Sequence, residues 1–268
     1  MLGKLFKYDF LAVGKKLLPV YAALFISVMG LNINVYIYRG SDFGVLGGIF
    51  AMLFTLSTMA VAIGTVVMLI RHFYVSLFTD QGYFTFTLPV GEGTQLAAKL
   101  LNGAAYSAIS AIVIFFATIF TATNSLNFNT LGEIFRNVGQ LFDALNSVGI
   151  SYGYMWFVII AYILGGLFFG QIMVYFCIIL GQMWGKHRVL GAILIGVGLY
   201  ILNMIIFSSF AISNVAPLME LNECAEAINS GIRFGTSMIN YSIIVSTIQA
   251  LVALVLSWFI LKRHTNIE

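Results

Sequence analysis

The absence of charge over long stretches is the feature that most restricts how this chain can fold. Six stretches contain no Asp, Glu, Lys or Arg, and each can hold the roughly 20 apolar residues that cross a bilayer as a helix. They are residues 17–38, 43–70, 100–131, 144–185, 189–219 and 234–261. The sequence therefore predicts an all-α, polytopic integral membrane protein with six transmembrane helices.

The composition indicates that little of the chain is available for a domain outside the membrane. Hydrophobic residues make up 60% of the 268 residues and charged residues only 9%, whereas a soluble domain has about 25% charged residues. Six spans and their connections occupy nearly the whole chain, so no separate soluble domain of about 100 residues fits. The chain also lacks the pattern G-x-x-x-x-G-K-[ST], and we expect any nucleotide hydrolysis to come from another polypeptide.

We predict two parts, an amphipathic interfacial helix at 1–17 and a six-span transmembrane domain at 18–268, with Pro19 allowing a turn between them. On a helical wheel the apolar face comprises Leu2, Leu5, Phe6, Phe10, Val13 and Leu17. The opposite face carries Lys4, Lys7 and Lys15. Asp9 falls on the apolar side near Lys16. Two alternatives stay open for it: it faces protein or pairs with a base, or it reaches the lipid headgroups.

The expected spans are 18–37, 45–70, 100–121, 154–183, 189–210 and 241–261. A cytoplasmic loop at 71–99 joins the second and third spans. Two short outer helices are expected, one at 131–145 and an acidic one that starts near Pro217. Small residues at the start of the third span, and the pair Gly166 and Gly170, are typical of close helix packing.

The basic residues set the expected orientation. With a cytoplasmic amino terminus, ten of the 13 Lys and Arg residues fall inside and three, Arg39, Arg136 and Arg233, fall outside. This positive-inside bias predicts a multi-pass protein of the cell membrane with both termini in the cytoplasm. The inner charges fit this topology and contact with anionic membrane lipids, rather than a nucleic-acid site.

Catalytic, cofactor and metal sites are not expected in this chain. Cys177 and Cys224 fall at different depths, which argues against a disulfide, and no metal-ligand spacing is present. The histidines lie in separate segments beside Arg or Lys: His72, His187 and His264.

The loop at 71–99 is the segment most closely tied to function. It contains six aromatic residues and a turn signal at 80–82, and aromatic-rich exposed surface is typical of docking onto a partner. The alternative is that this loop lies in the membrane interface. Two short patterns carry a resemblance: Arg71-x-Phe73-Tyr74-x-x-Leu77-Phe78-x-Asp80-x-Gly82-Tyr83-x-x-Phe86-x-Leu88-Pro89 and Leu5-x-Lys7-Tyr8-Asp9-Phe10.

These patterns resemble the first cytoplasmic loop and the amino-terminal helix of type 2 ABC permeases, the six-span subunits of bacterial ATP-binding-cassette exporters. The resemblance implies a coupling element that docks in a groove of a cytoplasmic ABC ATPase, where ATP and Mg are bound. It also implies two ATPase copies and a second permease, identical or homologous. The implied docking residues are Phe78, Asp80, Gln81, Gly82, Tyr83 and Phe84. A secondary inner loop holds Lys186, His187 and Arg188, whose charge also fits ordinary positive-inside topology.

The resemblance implies a transport subunit without enzyme activity of its own. Since no span has an ionisable residue in its interior, an apolar lining would suit a hydrophobic or amphipathic cargo, such as a peptide antibiotic, a lipid or a drug. Some members of the family protect bacteria against antimicrobial peptides. Two other classes stay open: a membrane-embedded enzyme that acts on a lipid or peptide, and a membrane sensor or scaffold that transports nothing.

Overall fold

The computed structural model describes residues 2–38, 44–79, 91–125, 128–184, 187–215 and 224–263. Within these ranges the chain forms seven helices. They are α1 Leu2–Tyr38, α2 Gly44–Phe78, α3 Glu92–Ser125, α4 Phe128–Ser147, α5 Tyr152–Gly181, α6 Arg188–Val215 and α7 Cys224–Arg263. All except α4 contain a segment long and apolar enough to cross a membrane. The predicted all-α, six-span membrane protein is confirmed.

Helix α1 is continuous through Pro19, so the predicted turn at this residue is wrong. A proline removes one backbone hydrogen bond, but neighbouring helices make this tolerable in a membrane helix. The later part of the apolar face predicted for 1–17 packs on protein, since Val13 and Leu17 are buried with Leu69 and Tyr106, whereas Leu2 is exposed. The interfacial segment and the first span are therefore a single helix of 37 residues.

The predicted loop at 71–99 is shorter in the structure than in the sequence interpretation. Helix α2 runs on to Phe78, and α3 already begins at Glu92. Eight residues at each end of the predicted loop are thus helical, while residues 80–90 lie outside the described ranges.

The two predicted short helices can also be compared with the structure. The expected helix at 131–145 is confirmed, since α4 spans Phe128–Ser147. The expected acidic helix near Pro217 falls partly on 216–223, outside the described ranges, and α7 then runs unbroken from Cys224 to Arg263. The predicted connection up to residue 240 is helical from Cys224 onward.

The chain divides into two compact units, one at Met1–Asp143 and one at Ala144–Asn266. In the N-terminal unit α1 packs against α2 and α3, which also contact each other. In the C-terminal unit α5 packs against α6 and α7.

Glycine has opposite roles at two places in α5. A Cβ added at Gly181 would lie 2.6–2.8 Å from three atoms of Ala192, two of them backbone, so α5 and α6 approach closely there. A Cβ at Gly166 or Gly170 would meet nothing within 4 Å. The packing expected at this pair is therefore not formed within the described chain.

Candidate functional site: a polar cluster in a three-helix stalk

The helices of the N-terminal unit are longer than a bilayer requires. Helices α1, α2 and α3 contain 37, 35 and 34 residues, which at 1.5 Å per residue gives about 50–55 Å. A hydrocarbon core is about 30 Å thick, so about 20 Å of each helix extends beyond it. The stalk is our name for the parts outside the charge-free stretches at one end of this unit: residues 2–16, 71–78 and 92–99.

A buried ion cluster joins the three helices of the stalk. The carboxylate of Asp9 on α1 forms an ion pair with the Nζ of Lys99 on α3 at 2.7 Å, and its Oδ1 lies 3.1 Å from the Nε2 of His72 on α2. The Lys99 side chain is 3% exposed, and those of Asp9 and His72 are 15% exposed. A buried ammonium group is tolerated when a carboxylate compensates it, so each partner depends on the others.

The cluster lies at the same distance from all three helix ends. Asp9 is seven residues from Leu2, His72 is six residues from Phe78, and Lys99 is seven residues from Glu92. These intervals correspond to about 10 Å along each axis. The start of α1 is therefore level with the two helix ends that flank residues 80–90, although it is distant from them in sequence.

Tyr106 makes a second connection between α1 and α3. Its hydroxyl donates to the carbonyl oxygen of Phe10 at 2.6 Å, and its ring stacks on the Phe10 ring at 4.6 Å between centroids. A Cβ at Gly14 would lie 2.5 Å from the Tyr106 hydroxyl oxygen. A Cβ at position 14 would thus have to displace the Tyr106 hydroxyl from its present position.

The polar contacts between helices continue towards the membrane interior. Ser110 on α3 hydrogen bonds with Tyr21 of α1 and Thr65 of α2, each at 2.7 Å. Beyond this level the unit has an apolar core that contains Leu24, Val28 and Val61. The hydroxyls therefore fix the packing of three helices, and a further hydrogen bond joins Ser27 to Ser57 at the level of this core.

One face of α3 supplies most of these polar groups. Its members recur at helical spacing, and all are 5% exposed or less: Gln95, Lys99, Asn102, Tyr106 and Ser110. Among the described residues, the Oδ1 of Asn102 has no hydrogen-bond partner. The spacing i, i+4, i+7, i+11, i+15 is visible in the sequence and was the available signal for a buried polar face. The sequence did not show which side chains these polar residues would contact.

The structure decides between the two alternatives that the sequence left open for Asp9. It faces protein and pairs with bases, whereas Lys16, its neighbour on the helical wheel, is exposed. Its partners come from α2 and α3, at positions 63 and 90 residues further along the chain.

The predicted docking residues divide between the described and undescribed parts of the chain. Phe78 is the last residue of α2, is partly buried, and has its ring 6.3 Å from Phe73 and 6.2 Å from Tyr74. The rest of this set lies outside the described ranges: Asp80, Gln81, Gly82, Tyr83 and Phe84.

The predicted secondary loop belongs to the C-terminal unit. Lys186 lies outside the described ranges. The backbone N–H of His187 donates to the carbonyl oxygen of Trp184 at 3.2 Å, its side chain is exposed, and Arg188 begins α6.

Each unit also contains an apolar groove. The groove of the N-terminal unit, between α1 and α3, has a volume of about 750 Å³ and is lined by residues such as Leu18, Phe25, Phe116 and Phe120. The groove of the C-terminal unit, between α5 and α7, has about 500 Å³ and includes Gly165, Phe169 and Ser246. Both volumes fall in the range of about 300–1,000 Å³ that is usual for small-molecule sites.

Among the described residues, no group of three or more His, Cys, Asp or Glu side chains could hold a metal ion. Comparison of the chain with protein-family models, with curated proteins and with solved structures found no match in any of the three.

Proposed function

We propose that this chain is the permease subunit of an ATP-binding-cassette exporter in a bacterial cell membrane, with both termini and the stalk in the cytoplasm. Its cargo is a hydrophobic or amphipathic compound such as a peptide antibiotic, a lipid or a drug. A separate ABC ATPase, present in two copies, binds ATP and Mg and docks on residues 78–84. A second permease, identical or homologous, completes the complex.

The observation that carries this proposal is the ion cluster of Asp9, His72 and Lys99. A coupling element has to pass a displacement from a partner to the membrane helices without losing it in local bending. Residues 80–90 lie between the ends of α2 and α3, and the cluster joins those two helices to α1 about 10 Å from their ends. A displacement applied at 80–90 would thus move three membrane helices together.

The apolar grooves support the choice of cargo. The groove between α1 and α3 is lined by apolar side chains and the Tyr21 ring. An ionised cargo would lose its hydration there without gaining a compensating charge. A compound with a large apolar part would fit either groove by replacing lipid contacts.

The first test is recovery of the ATPase partner. The tagged chain is purified in detergent from its native host, and co-purifying proteins are identified by mass spectrometry. We expect a protein with a G-x-x-x-x-G-K-[ST] motif in near-stoichiometric amount. A double variant, Asp80→Arg with Tyr83→Ala, should reduce its recovery at least tenfold, because truncating one interface anchor costs about 2 kcal/mol or more.

Tyr36→Ala is the matched control, since this tyrosine is 75% exposed near the opposite end of α1; its recovery of the ATPase should match that of the wild type. ATP-driven movement of a candidate peptide or lipid in proteoliposomes would complete the test. If no ATPase co-purifies, the proposal is wrong. Modification of a lipid or peptide by the chain alone would indicate a membrane-embedded enzyme instead, and absence of both activities would indicate a sensor or scaffold.

A further inference from the structure

The groove between α1 and α3 lies in the membrane-spanning part of the N-terminal unit. On α1 its lining runs from Leu18 to Met29, within the charge-free stretch 17–38. Large side chains of both walls stay exposed in the chain, since Phe25 of α1 is 61% exposed and Phe116 of α3 is 63% exposed. Because the fold has six membrane spans, a groove at this depth is open to hydrocarbon rather than to water.

The length of the groove indicates what can fill it. Leu18 and Met29 are eleven residues apart, which is about 16 Å along a helix axis. A hydrocarbon core is about 30 Å thick, so the groove extends through only one leaflet. A transmembrane helix of another chain crosses both leaflets and would leave about half of its length outside the groove. The acyl chain of a lipid belongs to one leaflet and matches the length of the groove.

The interior of the groove is apolar. Of the described residues that line it, only Tyr21 has a polar side chain, and its hydroxyl hydrogen bonds with Ser110 at 2.7 Å. The Ser110 hydroxyl also pairs with Thr65. The part of a ligand that lies in the groove must therefore be hydrocarbon, because a polar group there would lose its hydration without gaining a partner.

A basic residue lies at the stalk end of the groove. Lys15, Leu18 and Ala22 are spaced as i, i+3 and i+7, which places them on one face of α1. Lys15 is exposed and precedes the groove by about one turn, at the edge of the charge-free stretch, where a lysine side chain reaches the headgroups. The only acidic residue of α1 and α2 is Asp9, which pairs with Lys99. Neither helix therefore offers Lys15 a carboxylate, and an anionic headgroup would complement its charge.

We propose that this groove is a binding site for an anionic phospholipid of the leaflet next to the stalk. One acyl chain lies along the groove between α1 and α3, and the phosphate of the headgroup pairs with Lys15. The site goes beyond the proposed function and does not depend on it. A cargo that enters this groove would have to displace the lipid.

The first test measures lipid binding to the full chain by native mass spectrometry. The chain is purified in detergent, stripped of lipid and titrated with phosphatidylglycerol or with phosphatidylcholine of the same acyl chains. We expect phosphatidylglycerol to bind about fivefold more tightly, which is the effect of one lysine on an anionic lipid. Equal affinities would contradict the anionic headgroup and overturn the proposal.

Two pairs of matched variants locate the lipid. Lys15→Gln should remove the preference for phosphatidylglycerol, whereas Lys16→Gln, at an exposed lysine outside this face, should keep it. Ala22→Phe fills the groove and should weaken the binding of both lipids about tenfold, the equivalent of about two buried methylene groups. Ala23→Phe adds the same ring outside the groove and should leave binding unchanged. Both alanines are exposed, so the helices can keep their packing in either variant.

Equal losses within either pair of variants would contradict the site. The same spectra report the oligomeric state. If Ala22→Phe removes a dimer and leaves lipid binding unchanged, a second copy of this chain occupies the groove and the proposal is overturned.

A phosphatidylglycerol with a photoactivatable diazirine in its acyl chain tests the position of the chain directly. Every exposed side chain of a membrane helix contacts lipid, so the comparison needs neighbours of equal exposure. Phe25 and Phe116 line the groove, whereas Ile26 and Phe115 do not, and all four are 60–66% exposed. We expect peptide mass spectrometry to find higher crosslinking at Phe25 and Phe116. Equal crosslinking at all four residues would show only bulk lipid and would overturn the proposal.

Discussion

The two units of this chain use the same kind of helix but hold their helices together differently. In the N-terminal unit, one buried side chain commonly contacts two other helices, as Asp9 and Ser110 do. In the C-terminal unit, polar contacts join helices in pairs at exposed or half-buried positions, as between Tyr162 and Ser242 or Asn203 and Gln249.

Burial shows the same contrast for two of the three helices of the C-terminal unit. In their most apolar windows, 28%, 17% and 22% of residues of α1, α2 and α3 are buried within the chain, against 28% in α5 but only 6% in α6 and 11% in α7. Leucine and isoleucine are as compatible with lipid as with protein, so apolar faces alone do not hold membrane helices together. The N-terminal unit instead relies on charges, hydroxyls and close glycine contacts. The comparison indicates that the N-terminal unit resists deformation, whereas α6 and α7 of the C-terminal unit keep much of their surface for lipid or another chain.

The largest effect that would test this contrast is expected at the ion cluster. Asp9→Leu leaves the ammonium group of Lys99 buried without its carboxylate, and removing one partner of a buried ion pair costs about 3–5 kcal/mol. The measurement is the free energy of unfolding in detergent micelles, followed by circular dichroism.

The double variant Asp9→Leu with Lys99→Met is the control for this change. Replacing a buried pair by apolar residues of similar volume is often nearly neutral, so it should recover most of the stability lost by Asp9→Leu alone. A double variant as unstable as the sum of its single variants would contradict the ion pair.

A smaller effect is expected from glycine substitutions that compare packing in the two units. Gly14→Ala would place a Cβ 2.5 Å from the Tyr106 hydroxyl oxygen, which the Phe10 carbonyl holds in place. Overpacking of this kind costs about 1–3 kcal/mol. Gly166→Ala meets nothing within 4 Å and should not destabilise the fold. Thermal unfolding of the two variants side by side gives the comparison, and equal midpoints would refute the difference in packing.

The smallest effect concerns single hydroxyls. Tyr106→Phe removes the hydrogen bond to Phe10 from a side chain that is 3% exposed, and a bond of this type contributes about 1 kcal/mol. Tyr162→Phe removes an exposed bond to Ser242 and should have a weaker effect. Hydrogen exchange of the backbone amides near residue 10 provides a local readout. Faster exchange there in Tyr162→Phe than in Tyr106→Phe would contradict the expectation that the loss of the Tyr106 hydrogen bond has the larger effect.

Several elements were predictable because they depend on local patterns. The charge-free stretches located the six membrane helices. Most ends of the expected spans fall within a few residues of a helix end. The i, i+3, i+4 pattern located α4, and the same pattern found the apolar face at the start of α1. The predicted ends failed at Pro19, at Arg71–Phe78 and after Cys224, because contacts between helices extend a helix beyond the point at which its own sequence would end it.

The sequence by itself determined that this protein is a six-span membrane protein, because removing charges from water into hydrocarbon is too costly for any other arrangement of these stretches. It also marked Asp9 as a carboxylate that needed a partner. Only the tertiary structure decided which partners those are, since His72 and Lys99 meet Asp9 through the packing of α1 between α2 and α3. A contact over 63 or 90 residues has no local signature, because it depends on how three helices are arranged in space.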